Sequence, residues 1–163
     1  MVAIAFRPES WNGLLFVHLF AAMTLFGGVL VSTIAGVAAA RRDSTREIFL
    51  LTRVSYRTDL FVTWPSLVVL FAAGVVLARR EDVFGEAWVK AGMAVTVAGP
   101  ILCGIVLTWL NHRVMRRSAR LVAEGVEHSE ELRRMADNPI FKLLGPPLLL
   151  LFVVLFWLMT AKP

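Results

Sequence analysis

Polar and apolar residues alternate along this chain in long blocks, not in the short periods of a water-soluble fold. Four apolar runs stand out, at roughly 13–40, 60–78, 88–111 and 140–160. From Gly13 to Ala40 no residue carries a formal charge, and roughly 20 apolar residues already span a bilayer core as a helix. The second run, Leu60 to Ala78, is bounded by Asp59 and by Arg79-Arg80-Glu81-Asp82. The third, Trp88 to Leu110, has Gly99-Pro100 in its middle. The fourth follows Asp137-Asn138-Pro139, a capping residue and then proline at the first helical position. Its Gly145-Pro146-Pro147 predicts a kink. In lipid each run must satisfy its own backbone hydrogen bonds, which selects helices. The expected architecture is all-α and integral to the membrane, with four transmembrane helices in an antiparallel bundle forming one domain.

The polar stretches between the runs keep helical periodicity. Residues 44–58 place Ile48, Leu51, Val54 and Tyr56 among arginines. Residues 113–136 place Leu121, Val122, Val126, Leu132 and Met135 among charges, with Glu130 and Arg134 one turn apart. They predict amphipathic helical extensions that lie against anionic headgroups or offer a docking face to a partner.

Composition agrees with a membrane setting. Of the 163 residues 58% are hydrophobic and only 18% charged, where soluble domains carry about a quarter. The net charge of +5 does not indicate nucleic acid, because the basic residues flank apolar runs and act as topology signals. Twelve of the 17 lysines and arginines fall on one side, in the 41–57 and 113–134 loops and at Lys142; Arg7, Arg79, Arg80, Lys90 and Lys162 fall on the other. The bias places both long loops in the cytoplasm and both termini outside. The first run is about twice the length of a signal-peptide core. The single Cys103 lies inside an apolar run and has no cysteine to pair with.

Few residues in the runs carry chemistry. Gly28, Ser32, Gly36 and Ala40 repeat every fourth position, a small-residue stripe that lets a neighbouring backbone approach closely. His18 is the only titratable group of the first run, and at 100° per residue it is in phase with Gly36. It reads as a neutral histidine bonded across helices, as a ligand to haem iron or copper, or as part of a proton relay. His112 sits at the opposite end of its helix, so it cannot complete a bis-histidine site with His18. Met93 matches His18 in depth and is the candidate second axial ligand, on a face shared with Thr96, Pro100, Gly104 and Asn111. In the second run Asp59, Thr63 and Ser66 form a polar stripe. There Asp59 is either neutralised by Arg53 or Arg57 at the membrane edge or forms a cytoplasm-facing substrate or proton site. No nucleophile triad, phosphate loop or cysteine cluster is present.

Three patches, in order and spacing, resemble a bacterial family of predicted integral membrane proteins, domain-of-unknown-function family 2269. They are LLFVHLFAAMTLFGG at 14–28, DLFVTWPSLVVLFAAG at 59–74 and LMTAKP at 158–163. The resemblance implies a four-helix protein of the bacterial cytoplasmic membrane and no particular activity. The histidine followed by Gly27-Gly28 is also similar to copper-resistance D-type domains and to the membrane protoporphyrinogen oxidase of haem synthesis, where the likeness implies His18 as a haem ligand. Three functions stay open. One is a haem b protein with an electron-transfer role through His18. Another is a non-catalytic accessory subunit on a larger membrane complex or homo-oligomer. The third is copper or small-molecule transport with His18, Met23 and Met93 as ligands.

Overall fold

The computed structural model describes residues 9–161, with side chains from Gly13 to Trp157. Arg7, Lys162 and the closing Lys162-Pro163 of the third resemblance patch lie outside the described residues. Helix α1 is Glu9–Ala40 and α2 is Thr45–Thr58. A π-helical turn, Asp59–Thr63, leads into α3, Trp64–Arg80. Helix α4, Ala87–Gly99, continues through a second π turn, Pro100–Gly104, into α5, Ile105–Ala123. The short α6 is Glu130–Ala136, and α7 is Pro139–Ala161. Among the described residues no strand occurs; a single β-bridge joins Ser44 to His128.

Residues 45–80 and 87–123 are continuous rods of 36 and 37 residues. At 1.5 Å per residue each exceeds 50 Å, well beyond a hydrocarbon core of about 30 Å. Both rods therefore have a polar half, α2 and the second half of α5, and these pack on each other. Their shared core is Ile48, Val114, Leu121, Leu132 and Ala136. The α2 face that packs keeps only Ile48 of the apolar series read from the sequence as a fully buried position. The buried positions are Thr45, Ile48, Thr52 and Ser55, whereas Val54 is half exposed. Small side chains let the rods come close. Thr52 donates to the Ile48 carbonyl at 2.7 Å and Ser118 to the Met115 carbonyl at 2.9 Å, so neither buried hydroxyl is left unpaired. Helix α6 closes this end: Ser129 caps it by accepting from the Leu132 amide, and Glu131 holds Arg117 of α5 at 2.8 Å. The Thr45 amide donates to the Glu127 carbonyl, tying the two loops together.

The apolar half packs α1 against α3 and α7. Ala21, Leu25 and Val29 meet Leu70, Leu148, Phe152 and Leu155, with Phe26 edge-on to Phe152 and Phe156. Phe16, Phe20, Phe61, Leu102, Leu143 and Trp157 point outward, the arrangement expected where lipid replaces water. The start of α7 follows its expected signal: Asn138 Oδ1 accepts from the Ile140 amide beside Pro139.

Both π turns adjoin a proline. Proline has no N–H to give and its ring crowds the carbonyl four residues back, so the ladder widens by one residue. The Trp64 amide then donates to the Asp59 carbonyl, and the Ile105 amide to the Pro100 carbonyl. Such bulges are frequent at functional sites. Here they face a common interior space.

Candidate functional site: a buried polar centre at Asp59

The membrane half contains one buried acidic side chain among the described residues, Asp59, at the junction of α2 and α3. It has 7% of its surface exposed. The π turn starts at this residue and aims it toward α1 and α5, where small and polar side chains wait. Asn111 on α5 donates both amide protons, one to Ser55 Oγ at 2.9 Å and one to Asp59 Oδ2 at 3.3 Å. Ser55 Oγ donates to the Ser32 carbonyl at 3.2 Å, and the two serine hydroxyls lie 2.7 Å apart. Four side chains from α1, α2, α5 and the π turn thus form one chain of hydrogen bonds, buried where each partner depends on the others.

No cation neutralises this carboxylate among the described residues. Arg57 is exposed, and Arg53 lies over the Phe49 ring with its Cζ 5.8 Å from the centroid. The ion pair that the sequence offered as one alternative is not formed. A cavity of about 50 Å³ opens beside Asp59, walled by Ser32, Thr63, Trp64, Gly104, Thr108 and Phe152 among others. One water needs about 10–15 Å³, so the space suits a few waters or a small ion. Thr63 Oγ1 on its wall is buried and unpartnered.

Close approach of α1 makes this geometry. A methyl group on Gly28 would come within 2.7 Å of Thr63 Oγ1 and 3.3 Å of Val62 Cγ1. Of the small-residue stripe, Gly28 and Ser32 meet the second rod. Gly36 has nothing within 4 Å of where a side chain would start, and Ala40 is half-buried. Of the polar stripe, Asp59 and Thr63 reach the cavity and Ser66 does not. Sequence reasoning missed Ser55, and placed Asn111 on a face with Met93, not opposite Asp59. The usable signal was depth: Asn111 and Asp59 both stand where an apolar run ends on the arginine-rich side.

His18 lies far from this centre. It is 7% exposed, its ring packed on Gly74 so tightly that a methyl there would sit 3.1 Å from Cε1. Nδ1 is buried and has no hydrogen-bond partner. Met93 is half-buried on α4, which packs mainly on α7 and also on α3. Met23 points outward, 69% exposed. The three are therefore not gathered, and the described residues hold no group of three or more His, Cys, Asp or Glu side chains placed to bind a metal. Two features bear on a ligand here: what His18 faces, and how much room the interior offers. The imidazole faces helix backbone, and the cavity at Asp59 is several-fold smaller than the ~300–1,000 Å³ of ordinary ligand sites.

Helices long enough to cross a bilayer, lipid-facing aromatics and an intramembrane carboxylate with neutral partners define a polytopic helical membrane protein with a polar interior site. More narrowly, the chain belongs to the family described as "Predicted integral membrane protein (DUF2269)", whose model matches residues 13–163. No curated protein and no solved structure matches it.

Proposed function

We propose that this protein is a small-cation transporter in which a proton and a monovalent metal ion exchange at Asp59. The observation that carries the reading is a carboxylate buried in the membrane half, bonded to the neutral Asn111 and beside a water-sized cavity. An ionised carboxylate without a counter-charge costs several kcal/mol in such surroundings. A bound cation or proton removes that cost, and the Ser32, Thr63 and Thr108 hydroxyls along the cavity supply the oxygen ligands a hard ion prefers. With the arginine-rich loops in the cytoplasm, the centre lies on the cytoplasmic side of the bilayer and both termini lie outside.

The test is flux. Protein reconstituted into liposomes holding a pH-sensitive dye, under an imposed sodium or potassium gradient, is expected to give a cation-driven pH change. The change should vanish in Asp59→Asn and slow about tenfold in Asn111→Leu. No change above protein-free vesicles, or equal rates in Asp59→Asn and the parent, overturns the reading.

A further inference from the structure

A second space lies on the outer side of the same wall. Between α2–α3 and α5 runs an open groove of about 270 Å³ lined by Tyr56, Trp64, Ile105, Thr108, Trp109 and His112. Trp64 and Thr108 line both this groove and the Asp59 cavity. The Trp64 indole lies across Gly104, and its Nε1 donates to Thr108 Oγ1 at 3.3 Å, so this pair stands between the two spaces.

The groove is graded along the helix axis. At its deep end stand Trp64 and Ile105, apolar and open to lipid. Next comes Trp109, with the Arg113 guanidinium stacked over its ring, Cζ 4.6 Å from the centroid. Residues 105, 109, 113 and 116 form one stripe by i, i+4, i+8, i+11 spacing, so Arg116 continues the cationic end. Neither Arg113 nor Arg116 takes part in an ion pair among the described residues. His112 packs on Tyr56 with ring centroids 4.9 Å apart, and its Nδ1 is buried without a partner. The order is hydrocarbon, aromatic ring, then positive charge at the level where the apolar run ends. An anionic phospholipid has the same order: acyl chain, glycerol backbone, phosphate. Indole and phenol rings favour the glycerol level, and guanidinium holds phosphate through paired N–H donors.

We propose that this groove is a specific site for one anionic phospholipid, its acyl chain along Trp64 and Ile105 and its phosphate at Arg113, with Arg116 and His112 beside it. A zwitterionic lipid offers the same chain and ring contacts but no net negative charge, so the site discriminates by headgroup. The assignment is independent of what Asp59 binds.

The experiment is native mass spectrometry of the full chain released from detergent, titrated with phosphatidylglycerol or phosphatidylcholine of identical acyl chains. The expected result is one phosphatidylglycerol retained at least tenfold more tightly than phosphatidylcholine. Arg113→Gln should remove that preference with helical content unchanged by circular dichroism, because Arg113 is exposed. Trp109→Leu should weaken both lipids. Arg80→Gln, on the opposite side of the membrane half, should leave the preference intact. Equal retention of the two lipids, or an unchanged preference in Arg113→Gln, overturns the proposal. A preference lost equally in Arg80→Gln also overturns it, since only net charge would then be at work.

Discussion

Adding one methyl group at Gly28 tests the geometry that creates the Asp59 centre, and the same addition at Gly36 is its control. Both glycines are in one helix and one stripe, so the intrinsic gain of alanine over glycine, about 0.5–1 kcal/mol, is common to them. Their surroundings differ. At Gly36 the new methyl enters open space, and at Gly28 it meets Thr63 Oγ1 at 2.7 Å and Val62 Cγ1 at 3.3 Å. Thr63 is β-branched and sits in a π turn, so rotating its hydroxyl away brings either the methyl or the hydrogen into the gap. Overpacking of this kind costs about 1–3 kcal/mol. Gly36→Ala is therefore expected to match or exceed the parent in stability. Gly28→Ala should fall below Gly36→Ala by about 1–3 kcal/mol. Thr63→Ala removes the obstructing atoms, so the double variant Gly28→Ala/Thr63→Ala should recover most of the loss, a coupling of the same size. Equilibrium unfolding in mixed micelles, followed by circular dichroism, measures all four proteins. Stabilities of Gly28→Ala and Gly36→Ala within about 0.5 kcal/mol of each other, or no recovery in the double variant, would refute the close approach of α1 to the π turn.

Other outcomes follow from the same packing. Asn111→Ala strips donors from Ser55 and Asp59 together and should cost about 1–3 kcal/mol in the same unfolding assay; a neutral result would mean the network is not formed. Leu132→Ala, at a fully buried position, should cost about 2–5 kcal/mol and expose the 124–129 loop to limited proteolysis. Ser129→Ala should cost about 1 kcal/mol by removing the α6 cap, with no effect on cation flux. A reduced-minus-oxidised absorption spectrum of protein expressed with haem supplied is expected to be featureless. A Soret band that shifts on reduction and disappears in His18→Ala would restore the haem b reading.

The four segments long and apolar enough to cross a membrane, and their helical type, were legible because a bilayer demands long uncharged runs. The start of α7 was legible for a local reason, since Asn138-Pro139 caps and opens a helix whatever lies around it. The length of the two rods was partly legible, through helical periodicity continuing past Asp59 and Asn111. The Asp59 centre was not, beyond the carboxylate itself. Ser55 is unremarkable in a sequence of arginines and aliphatics, and it matters only because α2 lies against Ser32 and Asn111. The π turns defeated the i, i+4, i+7 count that put Ser66 with Asp59 and Thr63, because one extra residue per turn rotates everything beyond it. His18 drew attention by being rare in such a run, and rarity says nothing about what stands opposite: here, the backbone at Gly74.

The layer of Ala21, Leu25, Val29, Leu70 and Phe152 between His18 and the Asp59 centre has an electrical consequence. From His18 to Ser32 is about 20 Å along α1, and the core cluster between them is built of apolar side chains. In a membrane such a slab would behave as the dielectric of a capacitor, with the voltage falling mainly across it. If Asp59 takes up a cation from the arginine-rich side, as proposed above, that cation has crossed little of the field. Its remaining passage, through the aliphatic slab, would carry nearly the whole ~2.3 kcal/mol per charge for each 100 mV. Binding would then be insensitive to voltage and translocation strongly driven by it.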